Sequence, residues 1–421
     1  MSAMSSNNWS RRSLFRAAAG MAAAGTLAAC GSNNGRGGGS GSGKNLVQYF
    51  HAYGEAGTEQ AIKKYAKAYT KANVTTQWIT GDNFEQKLFA ALLTDNAPDL
   101  FEFHPQIQLV KSGQVADLTD IISPVKDDFN QADIASHTVD GKIYGVRMID
   151  DPQFFFYRPS LFEKAKVKVP TTLEELIEAG EKLTTSKVKG LFLGNDLTPL
   201  ERPLIWAAGA DTLNEKNEIA YHTDAVVDGL KQLRKVFTSG NLLLGAPADW
   251  WDPSAITQGL CAIQWCGMWA MPVMQKALGD DIGIFPFPKV GSAGKPSVYN
   301  GGWSMFVNAK GKNVDAAKEF VKWLWIDQKE YQEDWSTSYG FHIPPRTSLA
   351  ASATKLKTGL PAEGVKLFTD YGHFDNIGWT QAMIAAWDDV MANVVRKNGD
   401  PEAALDACDK KVNAELKKLF G

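Results

Sequence analysis

The chain has 421 residues, enough for two or three domains, with 44% hydrophobic and 22% charged content, ordinary for a globular protein. A formal net charge of -3 gives neither nucleic acid nor an anionic membrane surface an electrostatic partner. Four Cys and six scattered His exclude a disulfide framework, and none of them stands at metal-ligand spacing.

The first 30 residues read as a leader. Ser10-Arg11-Arg12-Ser13-Leu14-Phe15 is a charged start, Ala17–Ala29 is apolar, and Leu27-Ala28-Ala29-Cys30 closes it. The apolar run is about half of the ~20 residues that a membrane-spanning helix needs. The paired arginines resemble a twin-arginine export signal, with an ordinary secretory leader as the alternative. Leu-Ala-Ala-Cys resembles a bacterial lipobox, which implies lipidation of Cys30. Residues 31–44 are a Gly/Ser tether, a flexible coil with a reach of about 20 Å.

The mature chain alternates strands and amphipathic helices. Asn45–Phe50 is a short strand ending in His51-Ala52-Tyr53-Gly54. Ligands of open α/β sheets sit beyond the carboxyl ends of strands, so His51 and Tyr53 are candidate lining residues. Thr58–Ala72 reads as a helix, Val74–Ile79 as a strand, and Asp82-Asn83 as the cap of the helix Phe84–Thr94. Ala97-Pro98-Asp99-Leu100-Phe101-Glu102-Phe103 turns into a strand. Then Asp140-Gly141 marks a tight hairpin turn. Ile143–Ile149 leads to the carboxylates Asp150 and Asp151. Phe154–Tyr157 is continuous enough for a strand buried on both faces. A strand that carries charge in its middle, with Pro159 directly after, suits a passage between two lobes.

Further on, Trp206 lies in an apolar stretch, and Trp250-Trp251 sits in a loop. Side chains alternate in extended structure, so at least one of these two rings is exposed or faces a ligand. Trp269 follows the apolar segment that holds Cys261 and Cys266, and Gly267 just before it permits close backbone approach. Whether the two thiols pair is left open. Gly301-Gly302-Trp303 and Gly340–Arg346 read as two more passages between lobes. The end of the chain is helical, through Trp379–Val395 and Pro401–Phe420.

Taken in order, several of these segments resemble the extracellular solute-binding proteins of bacterial carbohydrate ABC importers, the maltose-binding-protein-like lipoproteins of family 1. They are V-D-G-K-I-Y-G-V with F-F-Y-R-P-S-L-F-E-K-A, the Ala97–Leu100 turn, Gly259–Ala270, Tyr299–Val307, Gly340–Arg346 and Asp400–Leu405. The resemblance implies an α/β, two-lobed periplasmic-binding-protein-like fold (type II). The lobes would be 45–151 plus 301–343 and 152–300 plus 344–421, after a signal peptide at 1–30 and a tether at 31–44, with a ligand cleft between them. It further implies that Trp269, Trp303 and Trp379 stack on sugar rings, with Trp250 or Trp251 as a wall. Phe103 and Trp206 would line the cleft, Asp82 and Asp151 accept hydrogen bonds, and Arg346 donates one. The implied partners are a sugar or oligosaccharide, membrane permease subunits and a separate ATPase. The implied body is a monomer, lipid-anchored outside the cytoplasmic membrane, with no cofactor and no bound nucleic acid.

Two departures bear on the ligand. Arg147 stands where the family commonly has Pro, and Asp150-Asp151 replaces a single acid. A basic residue at the cleft would suit a sugar phosphate, or it pairs with Asp150; clustered carboxylates would suit a polyamine. An enzyme finds little support. No G-x-S-x-G, H-E-x-x-H or P-loop motif is present. Adjacent aspartates on a strand point to opposite faces, which does not suit a glycosidase pair.

Overall fold

The computed structural model describes residues 44–80 and 83–421. The leader with Cys30, most of the tether, and Asp82 lie outside them. In chain order the strands are β1 (Lys44–His51), β2 (Ala72–Ile79), β3 (Leu100–Phe103), β4 (Thr138–Val139), β5 (Lys142–Ile143), β6 (Val146–Ile149), β7 (Pro152–Tyr157), β8 (Lys189–Phe192), β9 (Cys261–Gly267), β10 (Gly283–Phe285), β11 (Val298–Asn300), β12 (Trp303–Val307) and β13 (Gly372–Phe374).

They form two lobes. The first is built on the sheet β2-β1-β3-β12-β6, the second on β13-β11-β7-β9-β8, with β10 also paired to β7. In the first sheet β1 runs parallel to β2 and β3, and β12 runs antiparallel to β3 and β6. Alternation along β1 sends Leu46, Gln48 and Phe50 to one buried face. The central strand of the second sheet is covered on both faces, as its unbroken aromatic run requires. Phe155 packs in one core with Leu191, Trp265 and Trp387, while Phe154 and Phe156 pack in another with Met268 and Met274.

Local chemistry sets the element ends. Asp140 and Gly141 both take positive φ, 50° and 74°, and close the β4–β5 hairpin. Thr172 and Glu175 form a reciprocal capping box on the helix Leu173–Leu183. Thr223 caps Asp224–Thr238 through the Val226 N–H. The cap expected from Asn83 differs: its side chain makes no capping hydrogen bond to the helix Phe84–Leu92. Cys261, Cys266 and Cys408 are buried free thiols. Among the described residues, no helix is long and apolar enough to cross a membrane.

Three passages join the lobes, and they are tied side by side. Asp150 and Ile343 exchange two backbone hydrogen bonds of 2.9 and 3.0 Å, and the Gly301 N–H donates to the Asp151 carbonyl at 3.1 Å. Asn300 Nδ2 donates to Asp150 Oδ1 at 2.7 Å, and the Asp151 N–H donates to Asn300 Oδ1 at 2.9 Å.

Candidate functional site

The chain direction puts the functional edge where the passages lie. β1, β3 and β6 end there in the first lobe; β9, β11 and β13 end there in the second. The carboxyl ends of both sheets therefore face one cleft, the usual ligand position in open α/β sheets. The lobes also touch away from the passages. The Ile107 N–H donates to the Ile377 carbonyl at 3.2 Å. Lys111 reaches the Leu419 carbonyl, with its ammonium 4.7 Å from the Phe420 ring centre.

Trp303 is the centre of the first-lobe wall. Its ring stacks on His104 at 4.2 Å and on His51 at 5.1 Å, with Tyr53 tilted against it at 5.6 Å. His104 Nδ1 lies 2.9 Å from the Gly302 carbonyl. Burial, followed by the charge of Arg147, pushes the His104 pKa down to about 4, so the ring is neutral near pH 7. Trp303, His51 and Tyr53 thus come together as one aromatic surface. His104 belongs with them, although no motif marked it. Phe103 is buried under this wall against Phe84 and Phe89. Strand alternation turns its ring into the core instead of the cleft.

The second lobe contributes two groups. In the first, Trp206 lies nearly parallel to His373, centroids 4.9 Å apart, with Tyr299 at 5.7 Å. The Tyr299 hydroxyl donates to Asp375 Oδ2 at 2.7 Å, and Arg202 Nε lies 3.1 Å from Asp375 Oδ1. The Arg202 guanidinium sits 5.0 Å above the Tyr299 ring. Glu201 Oε1 is 3.3 Å from Arg202 Nη1, and burial pushes the Glu201 carboxyl up to about 8. Tyr299 lies on β11 and His373 on β13, two strands that end at the cleft, so this group forms part of the second-lobe wall. Trp206 was expected to line the cleft; no motif marked Arg202, Tyr299, His373 or Asp375 as site residues, and these join it here.

In the second group Trp250 meets Trp269 edge-on at 5.8 Å, and Trp269 Nε1 donates to the Trp251 carbonyl at 3.1 Å. Trp251 is 46% exposed, as one of two neighbouring rings must be. Gly267 has a different use from ligand approach. A Cβ there would lie 1.7 Å from Trp269 Cζ3, so the glycine makes room for the ring itself.

Three expected ligand contacts are otherwise engaged. Asp151 is buried and holds His342 Nδ1, whose Nε2 lies 3.2 Å from Glu55 Oε2. Arg346 is buried too; its Nε donates to Asp128 Oδ2 at 2.8 Å and its Nη1 to the Ile326 carbonyl at 3.1 Å. Trp379 precedes the cap Thr380 of the helix Gln381–Val390, and its ring is buried edge-on against Tyr221 in the second-lobe core. Arg147 resolves toward pairing. Its Nε lies 2.7 Å from Asp133 Oδ1 and 3.6 Å from Asp150 Oδ1, and Nη1 donates to the Gly301 carbonyl at 3.1 Å.

A family model for bacterial extracellular solute-binding proteins matches residues 51–324. The diacetylchitobiose binding protein DasA of Streptomyces coelicolor is 26% identical over 294 residues, covering 64% of this chain; the match spans 66% of that relative's own length. The galactooligosaccharide-binding protein of Bacillus subtilis is 24% identical over 308 residues, 69% of this chain and 70% of that one. Among solved structures, the GacH receptor of Streptomyces glaucescens, studied unliganded and with acarbose, superposes with a TM-score of 0.75 at 23% identity, over 89% of this chain and 99% of that one. UgpB of Mycobacterium tuberculosis, in complex with glycerophosphocholine, gives 0.74 at 16% identity, over 89% and 99%. These two show the shared fold. With the matched model covering more than half of its length, the chain belongs to the bacterial extracellular solute-binding proteins.

Proposed function

We propose that the chain captures a neutral carbohydrate, a sugar or oligosaccharide, between its lobes and hands it unchanged to the permease subunits of an ABC importer driven by a separate ATPase. In this reading lipidated Cys30 and the tether hold the body at the outer face of the cell membrane, after export by the twin-arginine route. The ligand lies between the Trp303 wall, with His51, Tyr53 and His104, and the Trp206 and Trp250–Trp269 groups. Flat aromatic faces suit the C–H faces of sugar rings. The Arg202–Asp375 pair suits hydroxyl groups.

The observation that carries the reading is the pairing of charge around this aromatic site. Arg202 is matched by Asp375, Arg147 by Asp133, and His342 by Asp151 and Glu55. A phosphate enclosed here would find each of these cations already paired with a carboxylate, and burying an unmatched charge is costly. A neutral polyol avoids that cost. The names of the oligosaccharide-binding relatives point the same way.

Calorimetric titration of the protein with mono- and oligosaccharides, polyamines, sugar phosphates and glycerophosphocholine tests it. Heat from a neutral sugar that is recovered intact is the expected result. Heat from a charged solute alone, or turnover of the sugar, refutes the reading.

A further inference from the structure

The hinge contains a buried group that the strand ladder between the lobes does not require. His342 lies on the third passage and is almost fully buried. Its Nδ1 meets Asp151 on the first passage, and its Nε2 lies 3.2 Å from Glu55 Oε2. Glu55 belongs to the loop between β1 and the helix Thr58–Ala68, the loop that also carries Tyr53 of the cleft wall. The two chain segments fit closely. A Cβ on Gly340 would lie 2.9 Å from both Glu55 Oε1 and His342 Nε2, and one on Gly57 would lie 2.9 Å from the Tyr339 ring. The His342 N–H donates to the Ser336 carbonyl at 2.9 Å, which fixes the backbone under the ring.

We propose that His342 is a positioning residue. As an imidazolium clamped between Asp151 and Glu55, it holds the Tyr53 loop against the passages and so sets the arrangement of the lobes. The neutral ring has one N–H and can donate to only one of the two carboxylates, whereas the imidazolium donates to both. Loss of the proton therefore leaves one buried carboxylate without a donor and in repulsion with the other. The consequence for ligand affinity rests on the cleft reading above; the consequence for lobe arrangement does not.

Burial opposes the charge on His342, but Asp151 and then Glu55 outweigh it and raise the pKa well above the ordinary histidine value. The clamp is complete below pH 6.5 and is lost as pH rises through the raised value. Other charged groups face the same region. Glu102, on β3, is fully buried and feels Asp151; its own pKa is raised by burial. Asp150, Asp133 and Arg147 form the adjoining network on the first passage. On the helix Lys329–Thr337, Asp334 is engaged with Tyr65, Tyr339 and Lys64. Lys355 donates to the Thr337 carbonyl.

Small-angle X-ray scattering of the full chain from pH 6 to pH 10, without ligand, tests the clamp. The radius of gyration of the native protein should hold steady and then grow at alkaline pH. His342→Asn should show the expanded form already at pH 6 and no alkaline transition. Persistence of the transition in that variant would assign it to Glu102 or Asp150 and overturn the proposal, as would a His342→Asn curve that superposes on the native one throughout. Should His342→Asn fail to fold, Glu55→Gln decides. Losing one carboxylate must move the transition to lower pH, and an unmoved midpoint refutes the clamp. Because the scattering is measured without ligand, it decides the clamp even for a protein that binds no sugar at all.

Discussion

Replacing Arg147 by Met puts the hinge electrostatics to a quantitative test. The Arg147 side chain is 5% exposed, and those of Asp133 and Asp150 are 1% exposed. Solvent screening is therefore weak, and the variant leaves two buried carboxyls without their cation. Breaking a buried pair by removing one partner costs about 3–5 kcal/mol. The lost hydrogen bond to the Gly301 carbonyl lies within that figure, because single-site deletions already include it. The pH dependence follows from the carboxyls. Burial already raises both pKa values, Asp150 well above the ordinary range. Without Arg147 they rise further, so the variant binds protons more readily folded than unfolded. Its deficit should be largest at pH 8 and shrink at pH 5.5. Urea unfolding followed by tryptophan fluorescence at the two pH values measures both effects. Arg147→Met with Asp133→Asn should recover at least half of the loss. A deficit below about 1 kcal/mol at pH 8, or one that ignores pH, would refute the pairing. A selective loss of affinity for a phosphorylated solute in a fully stable Arg147→Met protein would return Arg147 to the ligand.

Trp303→Ala removes ring contacts to His51, Tyr53 and His104, each aromatic pair worth about 0.5–1.5 kcal/mol. Affinity for the captured sugar, read by calorimetry, should fall at least about tenfold, a loss of about 1.4 kcal/mol; an unchanged dissociation constant removes Trp303 from the site. The His104 pKa of about 4 predicts affinity that is flat from pH 7 down to pH 5 and drops near pH 4 as the ring charges. The neighbouring His137 is held neutral to about pH 3 by burial and then Arg147. Both values lie below the unfolded one, so these two rings reduce thermal stability as pH falls from 6.5, and His104→Asn should remove its share. Gly267→Ala forces the Trp269 ring away, so near-UV circular dichroism should change and affinity should match that of Trp269→Ala; native binding by Gly267→Ala would show that this ring is not a ligand wall.

The two-lobed α/β fold was legible because its signals are local. The Asp140-Gly141 turn and the aromatic run of β7 each act over a few residues, and their chemistry reads directly from the chain. Pairing of Trp250 and Trp251 in a loop likewise forced one ring outward. The engagement of Asp151 and Arg346 was not legible. Asp151 meets His342 across 191 positions, and Arg346 meets Asp128 across 218. Only the tertiary fold brings these partners together. The same holds for Arg202, Tyr299 and Asp375, which come from three separate segments. Trp379 was read as the start of a helix and, by resemblance, as a sugar-stacking ring, but the Thr380 cap starts the helix after it and leaves the ring in the core.

The middle passage joins hinge and cleft most directly. β11 ends at Asn300, whose side chain is fixed to Asp150 and Asp151, and β12 begins at Trp303. Only Gly301 and Gly302 lie between. Gly302 has φ 88°, and a Cβ on it would lie 2.2 Å from the Ile149 carbonyl oxygen, so no other residue fits without displacing the neighbouring strand. Its own carbonyl meets His104 Nδ1. The Gly302 carbonyl and the Trp303 ring thus both engage His104, which ties this passage to the first-lobe wall. The aromatic wall is not merely near the hinge; its central ring is the first residue beyond it.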